Sequence, residues 1–370
     1  MRVLFHAPPL LGHTLPMMPL AQALRRAGHD VRWAAGEDTQ PHIRAWGFDV
    51  QPAGPGRAWA MAELARQWPE RAVMSPARQV PELGPRLFAD CYAPATLADL
   101  LALLDQWRPD LLVHDVMAHA APLAAALLGV RSVSHGFGLP RPRRSIDGAH
   151  ARMAPLWQSR GLEIPPDSGN QRHGQVDICP PALRLDEPVP DGPRWLLSPA
   201  SGVQRRHGER QGVVASFGTV HHQQAAFDGL LGVLVQGPWP ARIAFGRPLD
   251  RSPPWPPHVH AAPWLDLAAE WAHARVGACH GGAGTMLGAL AQGVPLLLLP
   301  VAADQFRNAR ALRAVGAGIT LEAEEQTPQA MRQALHRLFD EPHFAEAAGR
   351  MADEMAAMPQ ADAVARAIAA

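Results

Sequence analysis

The sequence contains no lysine; all 34 of its basic residues are arginine. That absence removes whole chemistries. A P-loop needs a lysine on its phosphates, and pyridoxal enzymes and Schiff-base aldolases need a lysine amine. A single tyrosine, Tyr92, likewise excludes mechanisms built on a Tyr/Lys pair. The three cysteines, Cys91, Cys179 and Cys279, lie too far apart for a disulfide framework or a zinc knuckle. Their scarcity points to a reduced, cytoplasmic protein. No charge of one sign dominates, with 34 basic against 34 acidic residues, so a nucleic-acid partner is not expected. No apolar run approaches a membrane span, and the opening "MRVLFHAPPLLGH" is too short and proline-broken for a signal peptide.

What is present suits two α/β domains. The chain has 370 residues, of which 47% are hydrophobic, enough for two sizeable cores. "RVLF" (2–5) predicts a strand, followed by a loop and a helix in which Met17, Leu20 and Leu24 recur at helical spacing before Gly28. "VRWAA" (31–35), "DLLVHD" (110–115), "AHAAPLAAALLGV" (118–130) and "RSVSHG" (131–136) continue the alternation of strand and helix. Residues 52–95 and 138–182 read as irregular and rich in Pro, Arg and aromatics, including Trp59, Trp68, Phe88, Phe137 and Trp157. They suit either substrate-enclosing loops or plain surface. A second series starts at "VVASF" (213–217) and runs through "ARIAF", "HVHAA", "RVGAC" and "PLLLLP", ending in an alanine-rich helical tail. Such alternation predicts two Rossmann-like domains in tandem with a cleft between them. The expected division is 1–195, a linker at 196–212, 213–355, and a C-terminal helix at 356–370.

One stretch concentrates glycine: "RVGAC-HGGAGT-MLGALAQG", with Gly281, Gly282 and Gly284 beside His280 and Thr285. Glycines between a strand end and a helix start let a phosphate approach bare backbone N–H groups, and the helix N-terminus adds partial positive charge. The alternative is a turn that serves the fold alone. "SFGTV" (216–220) offers a second Gly-Thr, Gly218–Thr219, which could face the same diphosphate if both strands end at one sheet edge. In "PVAADQFRNA" (300–309), Asp304 and Gln305 suit neighbouring sugar hydroxyls, or else a helix N-cap and first turn. In the first domain, His13 follows the first strand, and Asp115 ends another strand on the same sheet edge. Imidazole titrates near neutrality and can take a proton when a carboxylate holds its other nitrogen. Asp110 precedes its strand and should lie at the opposite edge. Arg141, Arg143 and Arg144 could touch an acidic acceptor or form a solvated run. His114 suits a cleft wall, while His135, His221 and His222 take no assigned role.

Together "LGHTLPMMPLAQALRRAGHDV", "RPDLLVHD" and "HGGAGT…GALAQGVPLLLLPVAADQFRNARAL…GAG" resemble the GT-B glycosyltransferases of family 1, in the branch that decorates bacterial natural products. The resemblance covers nearly the whole chain. It implies the GT-B fold, with the C-terminal helix packing back on the first domain. It implies inverting transfer from a TDP- or UDP-sugar to a small-molecule acceptor, with no metal and no cofactor beyond that co-substrate. His13 and Asp115 match the family's general-base pair, and Trp264, sixteen residues before His280, matches a position near the nucleotide base. The chain departs from the pattern at Asp266, Leu267 and Met286, which leaves thymine and uracil open. A homodimer stays open. So do two alternative functions: a non-catalytic nucleotide-sugar-binding partner subunit, and a relative that hydrolyses or epimerises the nucleotide sugar.

Overall fold

A computed structural model of the protein describes residues 1–74, 76–185, 192–206, 208–218, 224–246 and 254–370. Thr219, His221 and His222 lie outside the described residues. The chain divides into two compact units. One comprises Met1–Cys179, Asp186–Leu197 and Pro359–Ala370, the other Pro180–Leu185 and Ser198–Met358.

The strands of the first unit are β1 (Arg2–Ala7), β2 (Asp30–Ala35), β3 (Asp49–Pro52), β4 (Leu111–Asp115), β5 (Arg131–His135), β6 (Gln175–Asp177) and β7 (Arg194–Leu196). Among the described residues they form one all-parallel sheet in the order β3-β2-β1-β4-β5-β6-β7. All five residues of β4 are buried, as befits a central strand with helices over both faces. The core packs Leu4 and Leu112 of the sheet against Leu97, Leu100, Leu104, Leu123, Met153 and Trp157 of the surrounding helices. After β1 the chain winds outward through β2 and β3, then returns to lay β4 on the other side of β1. Crossovers therefore leave these two neighbours toward opposite faces, and a crevice opens beyond their carboxyl ends.

Much of the region expected to be irregular is helical. Helices run over Arg57–Gln67, Pro76–Pro85, Ala93–Trp107 and Arg143–Gln158, with a π-helical segment at Arg86–Tyr92. Prolines disguised them. Pro94 occupies the first turn of its helix, where its missing N–H costs little, while Pro81 and Pro85 sit within theirs. The π segment carries the chain past them, and the Ala93 N–H donates to the Phe88 carbonyl five residues back. The expectation of no membrane-length apolar run also needs correcting. Pro81–Trp107 is long and apolar enough to span a membrane, by length and composition alone. Half of its most apolar window is buried within the protein, where Leu97, Leu100 and Leu104 face the core.

Arg141 is not part of a solvated run. Its Nη2 donates to both oxygens of Asp167, at 2.8 and 2.6 Å, and the two side chains are only 7% and 10% exposed. The pair braces a turn in which Asp167 (φ 47°) and Ser168 (φ 53°) both adopt the left-handed region. Arg143 pairs with Asp147 at the surface instead.

In the second unit, β8 (Gln211–Ser216), β9 (Ala241–Ala244), β10 (Val259–Ala262), β11 (Ala274–Cys279), β12 (Leu296–Leu298) and β13 (Gly318–Thr320) form a parallel sheet ordered β10-β9-β8-β11-β12-β13. The same reversal therefore falls between β8 and β11. Helices at Gln224–Gln236, Ala283–Ala291, Gln305–Val315, Pro328–Asp340 and Pro342–Ala357 accompany the sheet. The segment expected as a linker belongs largely to this unit: Ser198 and Ala200 are buried, and Gln211 opens β8. The last helix, Ala361–Ala369, returns to the first unit, where Arg26 pairs with Asp362 and Arg131 donates to the Ile368 carbonyl.

Removing Arg141 strands Asp167 as an uncompensated buried charge. Arg141→Leu should lower unfolding stability by ~3–5 kcal/mol in urea denaturation. Arg143→Leu, at an exposed pair, should change it by less than about 0.5 kcal/mol.

Candidate functional site

Both reversals carry the residues singled out in the sequence. In the first unit, β1 runs into Pro8 and Pro9, and the chain turns at once into a single helical turn, Leu11–Thr14. His13 thus sits on a helical turn rather than in the expected loop. Its ring is set against the end of β4, where Nδ1–H donates to Asp115 Oδ1 at 3.0 Å. The same oxygen accepts the Met117 N–H at 2.8 Å, which holds the carboxyl group in place. Asp115 is fully buried, whereas His13 keeps 12% of its side chain exposed. With Nδ1 committed as donor, Nε2 is the nitrogen that carries the lone pair. Phe137 and Phe88 flank the imidazole, with ring centroids at 4.3 and 5.3 Å, and so limit its rotation. Asp110 lies at the other end of β4, where its carboxylate accepts the Arg2 N–H at 2.7 Å.

A set of buried histidines surrounds this pair. His6, His114 and His135 each donate from Nδ1 to a backbone carbonyl, those of Ala34, Asp115 and Gly136 respectively. His114 is a buried strand residue rather than the open wall expected of it. Burial pushes His6 below its ordinary value, His114 and His135 down to about 4, and His119 to about 3. All are neutral near pH 7.

In the second unit the register aligns Cys279 with Ser216 and with Leu298, so β8, β11 and β12 end at one edge. Gly218 and the His280 loop therefore emerge side by side. The glycines here have different jobs. A Cβ on Gly218 (φ 68°) would stand 2.7 Å from the His280 ring, and one on Gly282 would stand 2.6 Å from it. These two bracket the imidazole. Gly281 takes φ 85° to turn from the strand into the helix Ala283–Ala291. Gly284 is exposed in the first turn of that helix, and among the described residues a Cβ there would meet nothing within 4 Å beyond its own helix and neighbours. Among the described residues no side chain caps this N-terminus, so the first-turn N–H groups, with Thr285 beside them, present donors and a positive dipole end to an anion. Burial pushes the Cys279 thiol up to about 12, which makes it a packing residue and not a nucleophile.

Asp304 stands at the N-cap position of the helix Gln305–Val315, and Gln305 is its first residue. Gln305 Oε1 accepts the N–H groups of Val301 and Ala302, at 2.7 and 3.0 Å, and Ala303, just after them, has φ 54°. The amide oxygen is thus occupied, leaving Nε2 as the donor. Asn308 escaped the sequence reading. It is fully buried, and its Nδ2 donates at 2.8 Å both to the Gly281 carbonyl and to Asp304 Oδ2, tying the glycine loop to the acid. Its position one helical turn after Asp304 was the available signal. Trp264 is 57% exposed, which rules out a core role. Asp266 caps the short helix Leu267–Trp271 by accepting the Ala268 and Ala269 N–H groups, and Met286 is wholly buried.

Two doubly wound parallel sheets in one chain, one with a His–Asp pair and the other with a glycine-rich helix N-terminus at its reversal, place the protein in the GT-B fold class. Comparison with known proteins narrows this. Residues 22–192 match the N-terminal domain, and residues 250–370 the C-terminal domain, of the erythromycin biosynthesis protein CIII-like family; the chain belongs to that family and is a glycosyltransferase. It is 32% identical to the elloramycin glycosyltransferase ElmGT of Streptomyces olivaceus, over 99% of this chain and 96% of that protein. It is 30% identical to the L-demethylnoviosyl transferase of Streptomyces niveus, over 100% and 98%. The solved structure of the spinosyn rhamnosyltransferase SpnG complexed with thymidine diphosphate superposes with a TM-score of 0.80 at 26% identity, covering 100% of both chains.

Two outcomes follow from this geometry. Gly282→Ala forces the His280 ring to move and should lower the thermal midpoint, whereas Gly284→Ala should raise helix stability by about 0.5–1 kcal/mol. The buried histidines bind fewer protons folded than unfolded below their ordinary value of 6.5. Their contribution to stability is therefore whole above pH 6.5 and is lost as pH falls toward 4. Melting curves should show that decline, and His135→Asn should make it shallower by about one proton.

Proposed function

We propose that the protein is an inverting, metal-independent glycosyltransferase that moves a sugar from a TDP- or UDP-sugar to a hydroxyl of a small natural-product acceptor. The observation that carries this reading is the His13–Asp115 hydrogen bond of 3.0 Å, which turns His13 Nε2 into a general base at the reversal of the first sheet. In the reaction the acceptor oxygen bonds to the anomeric carbon as its proton passes to His13 Nε2. The bond from that carbon to the diphosphate breaks, and the electron pair leaves with the diphosphate. Asp115 orients the imidazole and stabilises its charged form. General-base catalysis of this kind is worth ~10²–10⁴-fold.

In the second unit, the His280 side chain and the backbone N–H groups of Gly281–Thr285 hold the leaving diphosphate, with Gly218 beside them. Asp304 and the Gln305 amide bind sugar hydroxyls, and the exposed Trp264 ring covers the base. The thymidine diphosphate complex of SpnG favours a TDP donor. In this scheme no metal ion takes part. The departing charge then falls to the helix N-terminus. Gly284, which no packing against another described element requires to be glycine, is where the diphosphate would come nearest the backbone.

His13→Ala should lower the transfer rate by ~10²–10⁴-fold and leave calorimetric binding of TDP unchanged. His280→Ala and Gly284→Ala should do the reverse at the donor, weakening TDP binding in a folded protein. Full transfer by His13→Ala would sink the base assignment. Unaltered TDP binding by both second-unit variants would sink the donor site.

A further inference from the structure

Gly281–Gly282 is the sole Gly-Gly step in the sequence, and it lies in the turn between β11 and the helix Ala283–Ala291. The peptide group that joins these two residues is easy to invert. Rotating it by half a turn changes ψ of Gly281 and φ of Gly282 and leaves the rest of the chain in place. Gly282 would pass from φ −60° to a positive value, which glycine accepts and other residues resist. The two orientations differ in what they offer a ligand. A trans peptide points its carbonyl and its N–H to opposite sides. One orientation therefore presents a donor to an anion, and the other presents an acceptor that repels it.

Asn308 selects between them. Its side chain is fully buried, and Nδ2 donates to the Gly281 carbonyl at 2.8 Å. The carbonyl is thereby drawn inward, and the N–H of the partly exposed Gly282 faces the other way, toward the surface. The second hydrogen of Nδ2 goes to Asp304 Oδ2, also at 2.8 Å. A backbone carbonyl can only accept, so the amide nitrogen of Asn308, and not its oxygen, must face Gly281. That oxygen is left buried with no hydrogen-bond partner among the described residues. An acceptor stranded in this way is costly. An apolar side chain of similar size would fill the same space without that cost, so packing does not account for an amide here. The two donated hydrogen bonds do.

We propose that Asn308 is a positioning residue: it latches the Gly281–Gly282 peptide with its N–H outward, in the orientation that donates to the leaving diphosphate. This rests on the diphosphate reading of the loop and adds what keeps the loop in its donor-presenting form. Being fully buried, Asn308 acts on the ligand through the peptide it holds. The same nitrogen fixes Asp304, so one side chain sets two groups of the donor site.

The single Gly-Gly step makes this peptide directly observable. In the full chain, glycine labelled with carbon-13 at the carbonyl and with nitrogen-15 gives one cross-peak in an NMR experiment that correlates each amide with the preceding carbonyl. That peak is the Gly281–Gly282 peptide. In the wild type, adding TDP should move the Gly282 amide proton downfield as it bonds to an anionic oxygen. Asn308→Asp keeps the volume and replaces the donor by an oxygen that repels the Gly281 carbonyl. It should weaken calorimetric TDP binding by at least about tenfold and abolish the downfield shift at saturation. Asn308→Ala removes the donor without adding a charge, and it decides the matter if Asn308→Asp fails to fold. The wild-type spectrum needs no variant at all. A wild-type peak that TDP leaves in place, an unchanged TDP affinity in the variants, or weakened binding with the shift intact overturns the latch and leaves the donor site standing. No TDP binding by the wild type overturns the donor reading, and the latch with it.

Discussion

The reversal of strand order in each sheet is the constraint on which the rest of the molecule depends. Two parallel neighbours, β1 and β4 in one unit and β8 and β11 in the other, send their crossovers to opposite faces. The backbone beyond their ends therefore has no covering helix, and whatever residues stand there can meet a ligand. His13 follows β1 and Asp115 ends β4; Gly218 follows β8 and His280 follows β11. Four chemically important positions, separated by up to 267 residues, are thus consequences of one topological rule applied twice.

Around each reversal the packing removes alternatives rather than adding contacts. His13 is held by Asp115 on one nitrogen and flanked by two tilted phenyl rings. His280 is bracketed by two glycines whose side chains would collide with it. Asn308 fastens the glycine loop to Asp304, and Gln305 fastens the strained turn at Ala303. Sites that stabilise a short-lived charge need this preorganisation, because donors that must reorient during the reaction lose much of their benefit. The shell of neutral histidines about Asp115 fits the same need: it is polar but adds no competing charge near pH 7.

The legibility of the sequence followed how local each signal was. β1, β2, β4 and β5 were readable as short apolar runs, and so were the strands of the second unit, apart from β13 with its single isoleucine. The helices between 57 and 107 were not, because prolines at 76, 81, 85 and 94 read as breaks when in the fold they occupy first turns or sit within a helix. Arg141 looked like part of a solvated basic run because its partner, Asp167, lies 26 residues away. Gly281, Gly282 and Gly284 were identifiable as a group, but their separate jobs were not.

The sequence by itself determined the chemistry on offer: no lysine, a histidine after the first strand, a carboxylate at the end of another, and glycines where a helix begins. These are matters of residue type and local order, and residue type limits reactions directly. Tertiary structure alone decided which of those groups meet. The distance from His13 to Asp115, the glycine walls of His280 and the occupied oxygen of Gln305 all depend on groups from separate stretches reaching one place. Strand register and helix packing set those distances, and both are fixed by long-range burial that no local stretch of sequence encodes.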